Sequence, residues 1–308
     1  MISLTLKHRA PLQNLIGDNR KGKIMKKIKI SIDSASDISK EVADKYGINL
    51  IPINIMIEGK AYKDGVDIMP VEFFKNLPGY SEIPKTSQIT VVEHMESFKK
   101  LVDEYDVIHI SISGAASGTN QSAHLAANEI MDENPDADIT IVDPSSFSYG
   151  YGLYAIQAAQ MAQEGKGKEE ILAFLEDRYS HCKILFGIDT LDYLQKGGRI
   201  SSQAKIIANV LDINPILAIE GGLVVNKEKI RGKKKLPGKI TDLVSEMISD
   251  DKEQTIAIMH ANDPEKAEKI KALLIEKTGI QNYVIEILGP TIGIHAGPGA
   301  FGIIFQGK

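Results

Sequence analysis

Three short stretches gather polar residues where strands give way to helices, the positions at which open α/β sheets bind ligands. IDSASD, residues 32 to 37, offers Asp33, Ser34 and Ser36; PKTSQIT, 84 to 90, offers Thr86 and Ser87; and ISGAASGTNQSA, 112 to 123, offers Ser113, Ser117, Gly118 and Thr119. Small hydroxyls beside glycine at a helix start have an electrostatic meaning. The first backbone N–H groups of a helix lack helical partners, the dipole is positive at that end, and glycine lets a ligand approach the backbone. Plain capping by Ser117 or Thr119 accounts for the same residues, and the second hydroxyl pair, Thr86 and Ser87, weighs against capping alone.

A fourth segment, GPTIGIHAGPG at 289 to 299, sets His295 among four glycines and two prolines. Proline removes a donor and glycine carries a backbone entropy cost, so the segment is not expected to form an ordinary helix. His295 has two readings here: it bonds neighbouring backbone in a turn, or it donates to an anion while keeping a switchable charge. An enzymatic reading pairs Ser117 or Thr86 as nucleophile with His295 as base, acting on an acyl or phosphoryl substrate. That chemistry needs a third group to orient the base, and none is evident. The sequence has no G-x-S-x-G elbow, no zinc-spaced cysteine and histidine cluster, no H-E-x-x-H, and no G-x-G-x-x-G after a strand. His260 falls in an apolar strand pattern and reads as structural, whereas His8, His94, His109, His124 and His181 have no motif context.

The elements that must position these residues alternate. From Lys27 the chain reads strand (27–33), helix closed by Gly47, strand (INLIPINIMIEG), and a helix opened by Pro70. A capping-box helix from Thr90 and Glu93, the strand DVIHISIS, a helix from Thr119, the strand DITIVD, and helices near 150–164 and 168–180 follow. Such alternation predicts parallel strands with helices on both faces, and ligands in such sheets bind beyond the carboxyl ends of the strands. The second half supplies ILFGID, a hairpin with EGG between two apolar runs, TIAIMHA and YVIEIL, with helices near 201–211, 237–249 and 264–277. The expected architecture is α/β and two-lobed: a doubly wound parallel lobe over 26–180, a mixed-sheet lobe over 181–308, and a poorly ordered extension over 1–25, with Met25 as an alternative start.

Composition bounds the function. The chain of 308 residues is 43% hydrophobic and 25% charged, the profile of a globular protein, and its length favours two lobes with a ligand site at their seam. A net charge of -5 argues against a nucleic-acid binder that works by counterion release. The single cysteine, Cys182, excludes an intrachain disulfide, reads as a buried small hydrophobe, and makes the cytoplasm the simplest compartment. No apolar run reaches membrane-spanning length. GDNRKGKI, Gly17 to Ile24, imitates a phosphate-binding loop but has Ile24 where a hydroxyl is needed and no strand before it.

Taken in chain order, IDSASD, YKDGVDI (62–68), PKTSQ, SGTNQSA, YLQKGGRIS (193–201), NPILAIEGGL, RGKKK (231–235) and GPTIGIHAGPG resemble the DegV family of bacterial fatty-acid-binding proteins, from about Lys27 to Phe305. The resemblance implies one DegV domain over 26–306 with a ligand tunnel between its lobes. It further implies a carrier without catalytic activity or cofactor, which holds a long-chain fatty acid and presents its carboxylate to a separate fatty acid kinase. That kinase would make an acyl phosphate for phospholipid synthesis. Matched motif by motif, the carboxylate contacts would be Thr86, Ser117 and His295, flanked by Ser87, Gly118 and Thr119 and supported by Arg199. Arg231 and Lys233 of RGKKK would dock the kinase, although a solvated charge run explains them equally. Two departures stand out: Gly114, Ala115 and Ala116 replace a serine, lysine and leucine common in the family, and Pro144 follows Asp143 where a serine is usual.

Burying an acyl chain of about 14 methylenes contributes up to roughly 11 kcal/mol before the costs of association, at about 0.8 per CH₂. A charge-assisted hydrogen bond adds about 1.5 to 3 kcal/mol. Affinity is therefore expected from the chain and orientation from the head group. Ile53, Ile55, Ile206, Val210 and Leu211 are candidate tunnel walls, with ordinary core packing as the alternative for each.

Overall fold

The computed structural model describes residues 26–199 and 213–308. The expectations for 1–25, for a helix at 201–211, and for Ile206, Val210 and Leu211 as tunnel walls lie outside the described residues.

The first half contains β1 (Lys27–Asp33), α1 (Lys40–Tyr46), β2 (Asn49–Ile51), β3 (Asn54–Ile57), β4 (Lys60–Lys63), α2 (Pro70–Asn76), β5 (Lys85–Ser87), α3 (Val91–Lys99), β6 (Tyr105–Ile110), α4 (Thr119–Glu133), β7 (Ile139–Val142), α5 (Tyr149–Gln163) and α6 (Lys168–His181). Strands β2, β1, β6 and β7 form a parallel sheet in that order. The chain leaves β1 toward one side and returns at β6 on the other, so the carboxyl ends of these two strands flank a topological switch point. Across it, Asp33 at the end of β1 accepts a 2.6 Å hydrogen bond from Ile112 N just beyond β6.

INLIPINIMIEG, expected as one strand, is divided. Pro52 has no N–H to continue a ladder, and beyond it β3 leaves the parallel sheet to pair with β4 and β5 in a small antiparallel sheet. Glu58 and Gly59, both at positive φ (48° and 80°), make the tight turn between β3 and β4. The segment PKTSQ thus enters a strand before its helix, with Thr86 paired to Ile55.

The second half contains β8 (Cys182–Gly187), α7 (Asp192–Gly197), β9 (Ile213–Glu220), β10 (Leu223–Arg231), α8 (Leu236–Met247), β11 (Ile256–His260), α9 (Pro264–Thr278), β12 (Tyr283–Ile287), α10 (Pro290–Ala296) and β13 (Phe301–Gln306). Its strands form one mixed sheet, in the order β10-β9-β8-β13-β11-β12. The expected hairpin is present: Gly221 and Gly222, at φ 56° and 74°, turn β9 into β10.

Strand alternation gives this sheet two different faces. Leu185, Ile216, Ile258, Ile303 and Phe305 join a core with α8 and α9. Ile184, Leu217, Val224, Met259 and Ile304 face the other way and belong to the core that also contains β1, β6 and α5. The two lobes therefore share a hydrophobic layer, and the cavity described next lies within it.

The helix α10 overturns the expectation that GPTIGIHAGPG avoids helical structure. Pro290 occupies the first turn, where a missing N–H costs nothing. Gly297, at φ 76°, terminates the helix. Gly293 sits inside it because a Cβ there would lie 2.7 Å from the Phe74 ring and 2.8 Å from the Phe73 ring.

Candidate functional site

A cavity of about 1110 Å³, counting its open mouth, separates the carboxyl-end loops of the parallel sheet from the inner face of the mixed sheet. Ile53, Ile112 and Phe147 contribute the first wall, and Ile184, Phe186, Ile219, Val224, Met259 and Ile304 the second. Ala296, Ala300 and Gly302 line it as well; small residues on neighbouring elements leave the volume that larger ones would fill. Among the described residues that line it, Arg199 is the only one with a permanent charge.

The polar residues collect at one end. His295, on the last turn of α10, places Nε2 3.2 Å from Thr86 Oγ1 on β5. Its Nδ1 has no hydrogen-bond partner among the described residues and packs against Gly197 at the end of α7, where a Cβ would lie 2.2 Å away. Burial, reinforced by the Arg199 cation, lowers the imidazole to a pKa of about 4. The ring is therefore neutral near pH 7, which corrects the expectation of a switchable charge. Orphaned buried N–H groups are rarer than orphaned acceptors, so the tautomer assigned from this bonding pattern carries the proton on Nε2, donating to Thr86 Oγ1. The Thr86 hydroxyl hydrogen is then available to an anion in the cavity. As a base the ring is poorly equipped: its pKa lies far below neutrality, and no carboxylate orients Nδ1.

Ser117 approaches from the opposite side. Ser117 N and Ala116 N both donate to Ser113 O at 3.1 Å, and Ser117 Oγ accepts from Thr119 N at 3.2 Å while donating to Thr119 Oγ1 at 3.0 Å. Ser117, one residue before the N-cap Gly118, thus satisfies the first N–H of α4 and lines the cavity at once. The loop is tied to the hairpin tip by Ser113 Oγ, which donates to Gly222 O at 3.0 Å. It is tied to α7 by Arg199 Nε, which donates to Ala116 O at 3.3 Å.

Residues 27–308 match the family model described as "Uncharacterised protein, DegV family". The chain belongs to the DegV family. A DegV domain-containing protein of Caldanaerobacter subterraneus subsp. tengcongensis is 38% identical over 92% of this chain and 100% of its own length. Another, of Clostridium perfringens, is 34% identical over 92% of this chain and 98% of its own. Two similar solved structures carry the same fold. A Thermus thermophilus DegV family protein described for its fatty acid binding has a TM-score of 0.82 at 27% identity, covering 92% of this chain and 100% of that one. DegV of Bacillus subtilis, described as a fatty acid binding protein, has a TM-score of 0.81 at 30% identity with the same coverage.

Against this DegV fold, the residues singled out in the sequence divide into three groups. Thr86, Ser87, Ser117, Gly118, Arg199 and His295 all line the cavity. Thr119 does not: it is wholly buried, its Oγ1 accepting from Ile89 N at 3.3 Å, so it joins the start of α3 to that of α4. Ile55 is likewise core rather than wall, while Ile53 is wall. Arg231 ends the edge strand β10 and Lys233 follows it in a short 3-10 turn; neither lines the cavity, and Lys233 Nζ stands 2.6 Å from Asp189 Oδ2.

The sequence reading passed over Gln88, Gly197 and the buried carboxylates. Gln88 Nε2 donates to Ser122 Oγ at 2.9 Å, and a Cβ at Gly118 would lie 2.1 Å from Gln88 Oε1. Asp37 accepts from Gly289 N at 3.0 Å, at the start of α10, and from Ser148 Oγ at 2.5 Å. Asp64 accepts from Ser34 Oγ at 2.9 Å and lies beside Thr291 in the first turn of α10. Asp33 accepts from Tyr151 Oη as well as from Ile112 N, both at 2.6 Å. Desolvation raises all three carboxyls, Asp33 and Asp64 to about 6. The D-S-x-S-D of IDSASD was a visible signal, read there as a possible ligand position; Asp33 and Asp37 instead brace the segments that carry the cavity's polar residues.

Proposed function

We propose that this DegV protein binds a long-chain fatty acid, holds its carboxylate at Thr86, Ser117 and His295, and presents it to a separate fatty acid kinase. One observation carries the reading: an apolar cavity between the lobes ends at a hydroxyl and imidazole pair with a single cation, Arg199, beside it. The description of similar DegV structures as fatty acid binding supports it. The hydrocarbon supplies most of the affinity, at about 0.8 kcal/mol per buried CH₂. Thr86 and Ser117 select the ionised head group by donating to it.

Acyl-phosphate formation makes a bond between a carboxylate oxygen and the terminal phosphorus of a nucleoside triphosphate. The bond from that phosphorus to the leaving diphosphate breaks. The attacking oxygen is already anionic, so no general base is required, and a neutral His295 suits the task of orienting it. The triphosphate is the kinase's co-reactant. Arg231 at the end of β10 and Lys233 in the turn after it supply the docking charge, and phospholipid synthesis in the cytoplasm is the setting.

The test is mass spectrometry of small molecules released by denaturing protein purified without added lipid. One dominant long-chain fatty acid at near-equimolar amount is expected. An empty protein that also fails to take up palmitate on titration would rule the carrier reading out.

A further inference from the structure

The Thr86–His295 pair has two sides. Inward it faces the apolar cavity, and outward it faces a second depression between the 81–86 segment and the end of α7. Thr86, Arg199 and His295 line both. Charge differs sharply across this partition. Among the described residues the inner cavity has Arg199 alone, whereas the outer depression adds Lys85 and Lys196 and has one acid, Glu82. Glu82 stands 3.8 Å from Lys85, with both side chains mostly exposed, so it neutralises little. Neither Lys196 nor Arg199 pairs with a carboxylate among the described residues. His295 Nδ1, unpartnered among the described residues, lies against Gly197 on this outer wall.

We propose that the outer depression is a phosphoryl-dianion subsite, formed by Lys85, Lys196 and Arg199 on the far side of the Thr86–His295 pair from the acyl cavity. The excess of two positive charges among its lining residues matches a dianion. Arginine offers a planar fork of donors and lysine a compact point charge, the combination that suits phosphate oxygens. Because three residues are shared with the inner cavity, a phosphoryl group joined to a bound carboxylate falls within reach of these cations. The subsite rests on the fatty-acid reading above and deepens it: it names the chemical group received where the chain ends.

The experiment compares palmitate with hexadecyl phosphate on lipid-stripped protein near pH 8, where a phosphate monoester, with a second pKa of about 6, is dianionic. Wild type should bind hexadecyl phosphate at least as tightly as palmitate. Lys85→Ala/Lys196→Ala should weaken hexadecyl phosphate on the order of tenfold and leave palmitate within about twofold, because only the first ligand uses those charges. Lys196→Glu should weaken it further. In a second arm, inorganic phosphate is titrated into palmitate-loaded protein and followed by phosphorus NMR. Lysine-dependent binding there identifies a separate phosphoryl donor, and its restriction to hexadecyl phosphate identifies a head group joined to the chain. If neither phosphate ligand responds to the lysines while palmitate still binds, the subsite is overturned and the carrier reading stands. If wild type binds neither palmitate nor hexadecyl phosphate, both fall together.

Discussion

The loop of 112–119 and the helix α10 bring polar groups to the same end of the cavity, the first largely by bonding to itself and the second by being wedged between distant neighbours. Within the loop Ser117 N donates to Ser113 O and Ser117 Oγ bonds Thr119, with further ties to Gly222, Arg199 and Ile89. His295, by contrast, is fixed by Thr86 on one side and Gly197 on the other, and its helix begins on Asp37, 252 positions earlier in the chain. A loop with such local bonds depends less on distant supports than a helix without them. A wedged helix transmits any change in its supports to the ring it carries.

The largest expected effect lies in the carboxylates beneath α10. Asp64 has its carboxyl raised from 3.8 to about 6 by burial. Between those two values the folded protein retains a proton that the unfolded chain has released, so this group's contribution to stability is full below about pH 4 and is lost as pH rises through about 6. A shift of two units corresponds to about 3 kcal/mol. Asp64→Asn keeps an acceptor for Ser34 and removes the titration. Urea unfolding at about pH 4 and about pH 7 should therefore show a smaller fall in stability for the variant than for wild type. Parallel pH curves for the two proteins would mean that α10 is not seated on a titrating carboxylate.

Next in size is the wedge itself. Gly197→Ala places a Cβ 2.2 Å from His295 Nδ1, with Thr86 blocking retreat on the opposite side. Overpacking of this kind costs typically about 1–3 kcal/mol, so palmitate affinity should fall roughly tenfold on titration. Gly198→Ala is the matched control. Residue 198 has φ 72° and open space around its Cβ, so alanine there strains the backbone without touching the ring. Its affinity should stay near wild type while its thermal midpoint drops. Equal losses of affinity in both variants would show that the end of α7, rather than contact with His295, governs binding.

The same contrast explains what the sequence disclosed. The parallel sheet, the hairpin at Gly221 and Gly222, and the capping loop at Ser117 are written in local periodicity and turn chemistry, and they were legible. The helix at 290–296 was not, because Gly293 answers to Phe73 and Phe74 rather than to its own helix propensity. The division of 48–59 at Pro52 was legible in principle from the missing donor, but the third sheet it creates depends on β5, three residues long and remote in sequence. The site residues that share the cavity were recovered by their motifs. Gly197, Asp37 and Asp64 were missed, and Asp33 was given another role, because their importance lies in what they touch.

The smallest effect separates two roles of one hydroxyl. Ser117 Oγ accepts from Thr119 N, and losing such a cap costs about 1 kcal/mol. Ser117→Ala should lower the urea midpoint by a corresponding amount whether or not Ser117 meets a ligand. Its hydroxyl hydrogen, however, is engaged with Thr119 Oγ1 at 3.0 Å and must turn to reach a carboxylate. With the proton assigned to His295 Nε2, Thr86 Oγ1 accepts from the ring and needs no such exchange. Thr86→Val should consequently weaken palmitate more than Ser117→Ala, by several-fold, given that a hydrogen bond to a charged group contributes about 1.5–3 kcal/mol. The reverse order in matched titrations would place the carboxylate against the self-bonded loop instead of the wedged helix, and would make His295 a strut for β5 and not a clamp on the ligand.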